Sequence, residues 1–163
     1  MANEPSLNIP YIYDRLGAPW KTQKRIRTIL DAYFRDDLQG IPGDEDGGGL
    51  SAFVVFSMMG IYPVMPGVPV YDVASPVFTK VTIHLTNGKD FVIAAPASSR
   101  ENKYVQSVRW NGKAVDRLWI EHKDVANGGT LELTMGDAPN TSLGSQDKSL
   151  PPASMTVDPS RFE

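Results

Sequence analysis

Gly40-Ile41-Pro42-Gly43-Asp44-Glu45-Asp46-Gly47-Gly48-Gly49-Leu50-Ser51-Ala52-Phe53 sets three consecutive carboxylates between glycines and opens onto an apolar run that reaches Met59. Stability alone does not call for this arrangement. The three acids repel one another, and each glycine loses more backbone freedom on ordering than other residues do. What glycines offer is close approach of the backbone and its acids to a ligand. A helix starting near Leu50 turns its positive end back toward those acids and favours their ionised form.

Three chemistries fit such a loop. An EF-hand would need an oxygen ligand at its fifth position and a glutamate at its twelfth; counted from Asp44 these are Gly48 and Val55, so that reading fails. A looser calcium site stays open, because hard cations accept any convergent set of carboxylates and carbonyls. General-base catalysis is the second, with one carboxylate taking a proton from water and its neighbour orienting that water. The third is a helix-entry loop in which Ser51 or an aspartate caps the following helix, Asp and Gly being ordinary turn residues.

Outward from the loop, the apolar run Leu50 to Met59 (Phe53, Val54, Val55, Phe56, Met58, Met59) reads as a helix greasy nearly all round, which must be covered on most sides. Upstream, Pro19 to about Asp36 forms a helix with Pro19 in its first turn and one stripe of Ile26, Ile29, Leu30, Tyr33 and Phe34. Lys21, Lys24, Arg25, Arg27 and Thr28 fall outside that stripe and read as a solvated face, and Trp20 as packing. Before it, Ile9, Ile12, Tyr13 and Leu16 recur at helical spacing until Gly17, with Pro10 forcing a start or bend. Asn3 and Glu4 suit first-turn chemistry: a capping amide, and a carboxylate favoured by the helix dipole.

Downstream, Gly60 ends the helix and Ile61 to Pro69 reads as extended, proline-rich chain. From Val70 the period becomes two. Val81, Ile83 and Leu85 share a face, Asn87-Gly88 signals a hairpin, Phe91 and Ile93 return, and Asn111-Gly112 separates Val105–Trp110 from Lys113–Val115. Leu131, Leu133 and Met135 mark a last strand. The expectation is an α+β chain: helices over 1–69, a small antiparallel β-sandwich over 70–136, and a loop or disordered tail over 137–163. His84 and His122 are expected at the surface or across a strand pair, and at least one of Trp110 and Trp119 in the core.

Composition bounds the function. The chain has 163 residues, 41% apolar and 21% charged, with net charge −3 and no cysteine. There is no disulfide framework, no basic run of the kind that tracks nucleic acid, no apolar run of bilayer length, and no signal-peptide pattern at Met1–Pro5.

The string GIPGDEDGGGLSAFVVFSMMGIYPVMPGVPVY resembles the closing signature of the family 92 glycoside hydrolases, calcium-dependent exo-acting α-mannosidases. NEPSLNIPYIYDRLGAPWKTQKRIR and SPVFTKVTIHLTNGKDFVIAA resemble flanking blocks of the same family, and together the three cover roughly residues 2 to 136. The family's enzymes are secreted or periplasmic, with an N-terminal β-sandwich and an (α/α)6 barrel. The resemblance implies that this chain is a C-terminal portion, its helices closing part of that barrel. It implies inverting hydrolysis of α-mannosidic bonds, α-1,2 first among them, in mannose-containing glycans. Asp44 and Asp46 match the family's paired aspartates, Asp46 as the base and Asp44 as its partner in holding the water, an order that could be reversed. The N-E-P-S block places Glu4, and with it Asn3, at the sugar as substrate-binding residues. Calcium is implied as cofactor without assignable ligands. The general-acid glutamate belongs to an upstream block with no match here, so this chain by itself is expected to be inactive. Its uncovered helix implies association with the missing N-terminal part or with itself. A different class remains: a non-catalytic sugar-binding or docking module built on the β unit and its aromatics.

Overall fold

A computed structural model describes residues 6–152. A 3-10 turn at Ile9–Tyr11 runs into the short helix α1, Ile12–Arg15, and then α2, Pro19–Tyr33. Helix α3 spans Gly49–Met59. Strands β1 (Ile61–Tyr62), β2 (Val70–Val73), β3 (Lys80–His84), β4 (Asp90–Ala94), β5 (Tyr104–Trp110), β6 (Lys113–Val115) and β7 (Trp119–Glu121) follow. Helix α4, His122–Asn127, and strand β8, Gly129–Gly136, complete the β part.

Helix α2 starts on a proline, which is preorganised for the first turn. It stops at Tyr33, short of the expected Asp36, because Phe34 turns extended and the chain closes a loop. There the Arg35 amide donates to the Gly40 carbonyl at 3.0 Å. Gly40 is obligatory in that loop: a Cβ would stand 1.8 Å from the Arg35 carbonyl oxygen. Helix α3 ends at Gly60, whose left-handed φ of 88° lets its amide reach back to the Phe56 and Ser57 carbonyls.

The strands form a three-stranded antiparallel sheet in the order β1-β2-β7 and a five-stranded sheet in the order β3-β4-β8-β5-β6. The second is mixed, which corrects the expectation of an all-antiparallel unit: β4 and β8 run parallel, Phe91 beside Gly129 and Ala94 beside Glu132. The cause is α4. It delivers the chain to the end of the sheet at which β4 begins, where Asn87 Nδ2 donates to the Ala126 carbonyl at 2.8 Å, and β8 must then run alongside β4. A bulge between Val105 and Ser107 lets Val105 and Val108, an odd number of residues apart, both face inward.

Both sheets share one core of Ile61, Val73, Phe91, Ile93, Val105, Val108, Ile120, Leu131 and Leu133. The helices bury a second, of Leu7, Tyr11, Ile26, Ile29, Leu30, Leu50 and Phe53, on Val64 and Ala74. The two are stapled by polar side chains of α2. Gln23 Oε1 accepts the Val105 amide at 3.0 Å, and Arg27 Nη1 donates to the Pro76 carbonyl at 2.6 Å. Arg27 is therefore buried, not part of the solvated face assigned to it, because it sits one turn from Gln23 on the side that meets the sheet. Residues 137–152 run as a loop with a 3-10 turn at Asp147–Ser149, held where Trp119 Nε1 donates to the Ser149 carbonyl at 3.1 Å and Leu143 enters the sheet core.

Candidate active site

The acidic loop approaches α3 through three positive-φ residues in a row, Asp46 (46°), Gly47 (70°) and Gly48 (100°). Two of the three are glycines, for which such angles cost nothing sterically. Asp46 is one of only two non-glycine residues with positive φ among the described residues, and aspartate is among the few that tolerate it. Backbone held this way reverses the chain at once.

Glu45 turns back to the helix. Its carboxylate accepts the Ser51 amide, both oxygens at 3.2 Å, and its carbonyl accepts the Gly49 amide at 3.0 Å. Neither Ser51 nor an aspartate is the cap. The N-cap position is Gly48, with no side chain to offer, and the middle acid supplies the missing acceptor. Glu45→Ala is expected to cost about 1 kcal/mol by loss of this cap, read as a lowered urea midpoint with unchanged slope.

Asp44 and Asp46 flank Glu45 in sequence, and both are exposed. Four clefts along the described surface are lined by other residues. Such a pair, on a rigid turn at the positive end of a helix, can hold a water and take its proton once something encloses them. Asn3 and Glu4 lie outside the described residues.

The donor set does not fit calcium. Among the described residues no group of three or more histidines, cysteines or acids could hold a metal ion. Asp44 and Asp46, with Glu45 engaged, fall well short of the about six to eight oxygens calcium takes. His84 is a cross-strand residue opposite Asp90, its Nδ1 2.7 Å from the Asp90 carboxylate, and His122 Nδ1 lies 3.0 Å from the Tyr71 hydroxyl. Trp110 packs on Phe91, and the face of Trp119 is covered by the Arg117 guanidinium at 4.3 Å.

Sequence reasoning missed a buried charged cluster between α1 and β2. Arg15 donates to Asp72 in a two-pronged pair, Nη1 at 2.5 Å and Nη2 at 3.3 Å, and Asp14 beside it is buried as well. The signal was present in Val70-Tyr71-Asp72, where alternation puts Asp72 on the inward face with Val70.

Helices α2 and α3 and the two sheets recur in known proteins. The profile described as Glycosyl hydrolase family 92 catalytic domain matches residues 1–137. An inverting family 92 mannosidase of Bacteroides thetaiotaomicron superposes with a TM-score of 0.86 at 41% identity, over 91% of this chain and 20% of that one. A second α-mannosidase of the same organism and family, solved in complex with mannoimidazole, gives 0.88 at 34% identity over 93% of this chain and 20% of its own. An uncharacterized secreted glycosidase of Arthroderma benhamiae is 38% identical over 156 residues, 94% of this chain and 20% of that protein. The chain thus spans about a fifth of the length of the relatives it matches. Among the described residues no helix is long and apolar enough to cross a membrane. With its profile and its fold in agreement, the chain belongs to glycoside hydrolase family 92.

Proposed function

We propose that this chain carries the water-activating side of a secreted or periplasmic inverting exo-α-mannosidase that removes terminal mannose from mannose-containing glycans, α-1,2-linked mannose first among them. Asp46 is the base and Asp44 holds the attacking water. The general acid is the glutamate of the family's upstream block, which these residues do not match. Inversion needs room for water between acid and base, about 6.5–9.5 Å. No step is routed through calcium, which the described residues do not house. In this reading α1, α2 and α3 are part of an (α/α)6 barrel, and Asn3 and Glu4 reach the sugar.

The observation that carries the reading is the division of labour in the loop. The central acid caps α3, and its two neighbours in sequence are exposed beside a turn of three positive-φ residues. Apolar exposure on the helices indicates that they meet further protein. Ile9, Ile12 and Leu16 are 61%, 53% and 69% exposed, and Val55 on α3 is 55% exposed. Such a surface meets more protein, either the remainder of the enzyme or a second copy. The sugar-module alternative gains nothing from Trp110 or Trp119, each already engaged.

Incubated alone with an aryl α-mannoside, the chain is expected to give no turnover, because half a catalytic pair cannot run the displacement. Joined in place of the matching fifth of the 41%-identical Bacteroides enzyme, it is expected to restore turnover with inversion, followed by NMR of the first-formed anomer. Turnover by the chain alone, or a folded but dead hybrid, overturns the proposal.

A further inference from the structure

Asp14 is 2% exposed and Asp72 is fully buried, and the two carboxyl groups interact electrostatically across the α1–β2 seam. Neither Asp14 oxygen finds a donor among the described groups, and Thr22 Oγ1 and Arg15 Nε are likewise without partners. The one guanidinium at hand is spent on Asp72. Two ionised carboxylates cannot bond one another, and a buried acceptor left unsatisfied is costly. One proton resolves both problems: on Asp14 it supplies the missing donor and leaves a single negative charge opposite Arg15.

We propose that Asp14 and Asp72 share a structural proton, a pH-sensitive clasp that fastens the N-terminal helical hairpin to β2. The groups facing the pair are few. Arg15 comes from α1 itself, Thr22 from α2, Asp72 from β2, and the Tyr11 hydroxyl from the preceding turn. Only Arg15 is cationic, so it can balance one carboxylate and not two. Burial raises the Asp14 carboxyl well above its ordinary range, the Asp72 charge pushes the same way, and Thr22 and Arg15 pull back less. Asp72 is itself raised by burial, with Arg15 opposing.

The sign follows. An acid whose folded value is raised binds more protons folded than unfolded, so its stabilisation is full below about pH 4 and fades as pH climbs toward the folded value. Across that window the folded-to-unfolded ratio drops up to about tenfold per pH unit for one such proton. The clasp therefore holds in mildly acidic surroundings and slackens in alkaline ones. This goes beyond the catalytic proposal and stands or falls independently of it, since its readouts need no substrate.

The test uses the whole 163-residue chain. Denaturant midpoints for the unsubstituted protein and Asp14→Asn are followed from pH 4.5 to 8.5, alongside infrared spectra of both at pH 7. Asn keeps a donor toward Asp72 without the titration. Expected are a protonated-carboxyl band in the unsubstituted protein that Asp14→Asn removes, and a midpoint that falls with pH more steeply in the unsubstituted protein. Absence of that band at pH 7, or equal pH slopes in the two proteins, overturns the proposal. The infrared result on the unsubstituted chain decides even if Asp14→Asn fails to fold.

Discussion

Asp46→Asn, placed in the hybrid enzyme, is expected to lower kcat by about 10²–10⁴-fold, the usual worth of a positioned general base, with KM changed little. The substitution suits the position. Asparagine tolerates the left-handed backbone that Asp46 adopts at φ 46°, so the turn and the cap on α3 survive while the proton acceptor is lost. Glu45→Gln is the control. Its amide oxygen still accepts from Ser51, so turnover should stay near that of the hybrid if the middle acid serves only the helix. A large loss in Asp44→Asn with little in Asp46→Asn would exchange the two roles. Full rate in both would remove the base from this loop.

The second large effect belongs to Arg15. Arg15→Ala strips the cation from an Asp72 whose side chain is 1% exposed, and breaking a buried pair from one side costs about 3–5 kcal/mol. For a chain of this length that corresponds to a fall in Tm on the order of 6–20 °C. The loss is not uniform in pH. Asp72 is already raised by burial against the opposing pull of Arg15, and without Arg15 it rises further. An acid raised in the folded state costs most when pH stands above its folded value, so the deficit is expected to be greatest in alkaline buffer and to shrink toward pH 4. A deficit that grows on acidification would show that Arg15 acts on something other than Asp72.

These two sites differ in how far the sequence disclosed them. The acidic loop stood out as a candidate site because three acids among glycines violate local economy. Which acid did what was not legible. The backbone reversal at Asp46, Gly47 and Gly48 is what sends Glu45 to Ser51, and a run of glycines does not specify its own angles. The α2 stripe and the alternation of Val81, Ile83, Phe91, Ile93, Leu131 and Leu133 were readable for the ordinary reason that one face of each element is apolar. Arg27, Gln23 and Asp14 escaped because a buried polar residue looks like a surface one until its partner is known. Those partners lie 49, 82 and 58 positions away, at Pro76, Val105 and Asp72. The parallel neighbour of β4 escaped for a related reason: hairpin signals describe adjacent strands, and β8 reaches β4 only after four intervening elements.

Gln23 and Arg27 carry a lesson for anyone cutting this gene. A break near residue 69 looks natural where helical text gives way to strands, yet it would part Gln23 from the Val105 amide and Arg27 from the Pro76 carbonyl. Recombination or truncation at that point delivers a β half with an orphaned edge and a helical half with a stranded cation. Exchange between homologues should succeed where the crossover falls before Ile9, which keeps Asp14, Arg15, Gln23 and Arg27 with the partners they serve.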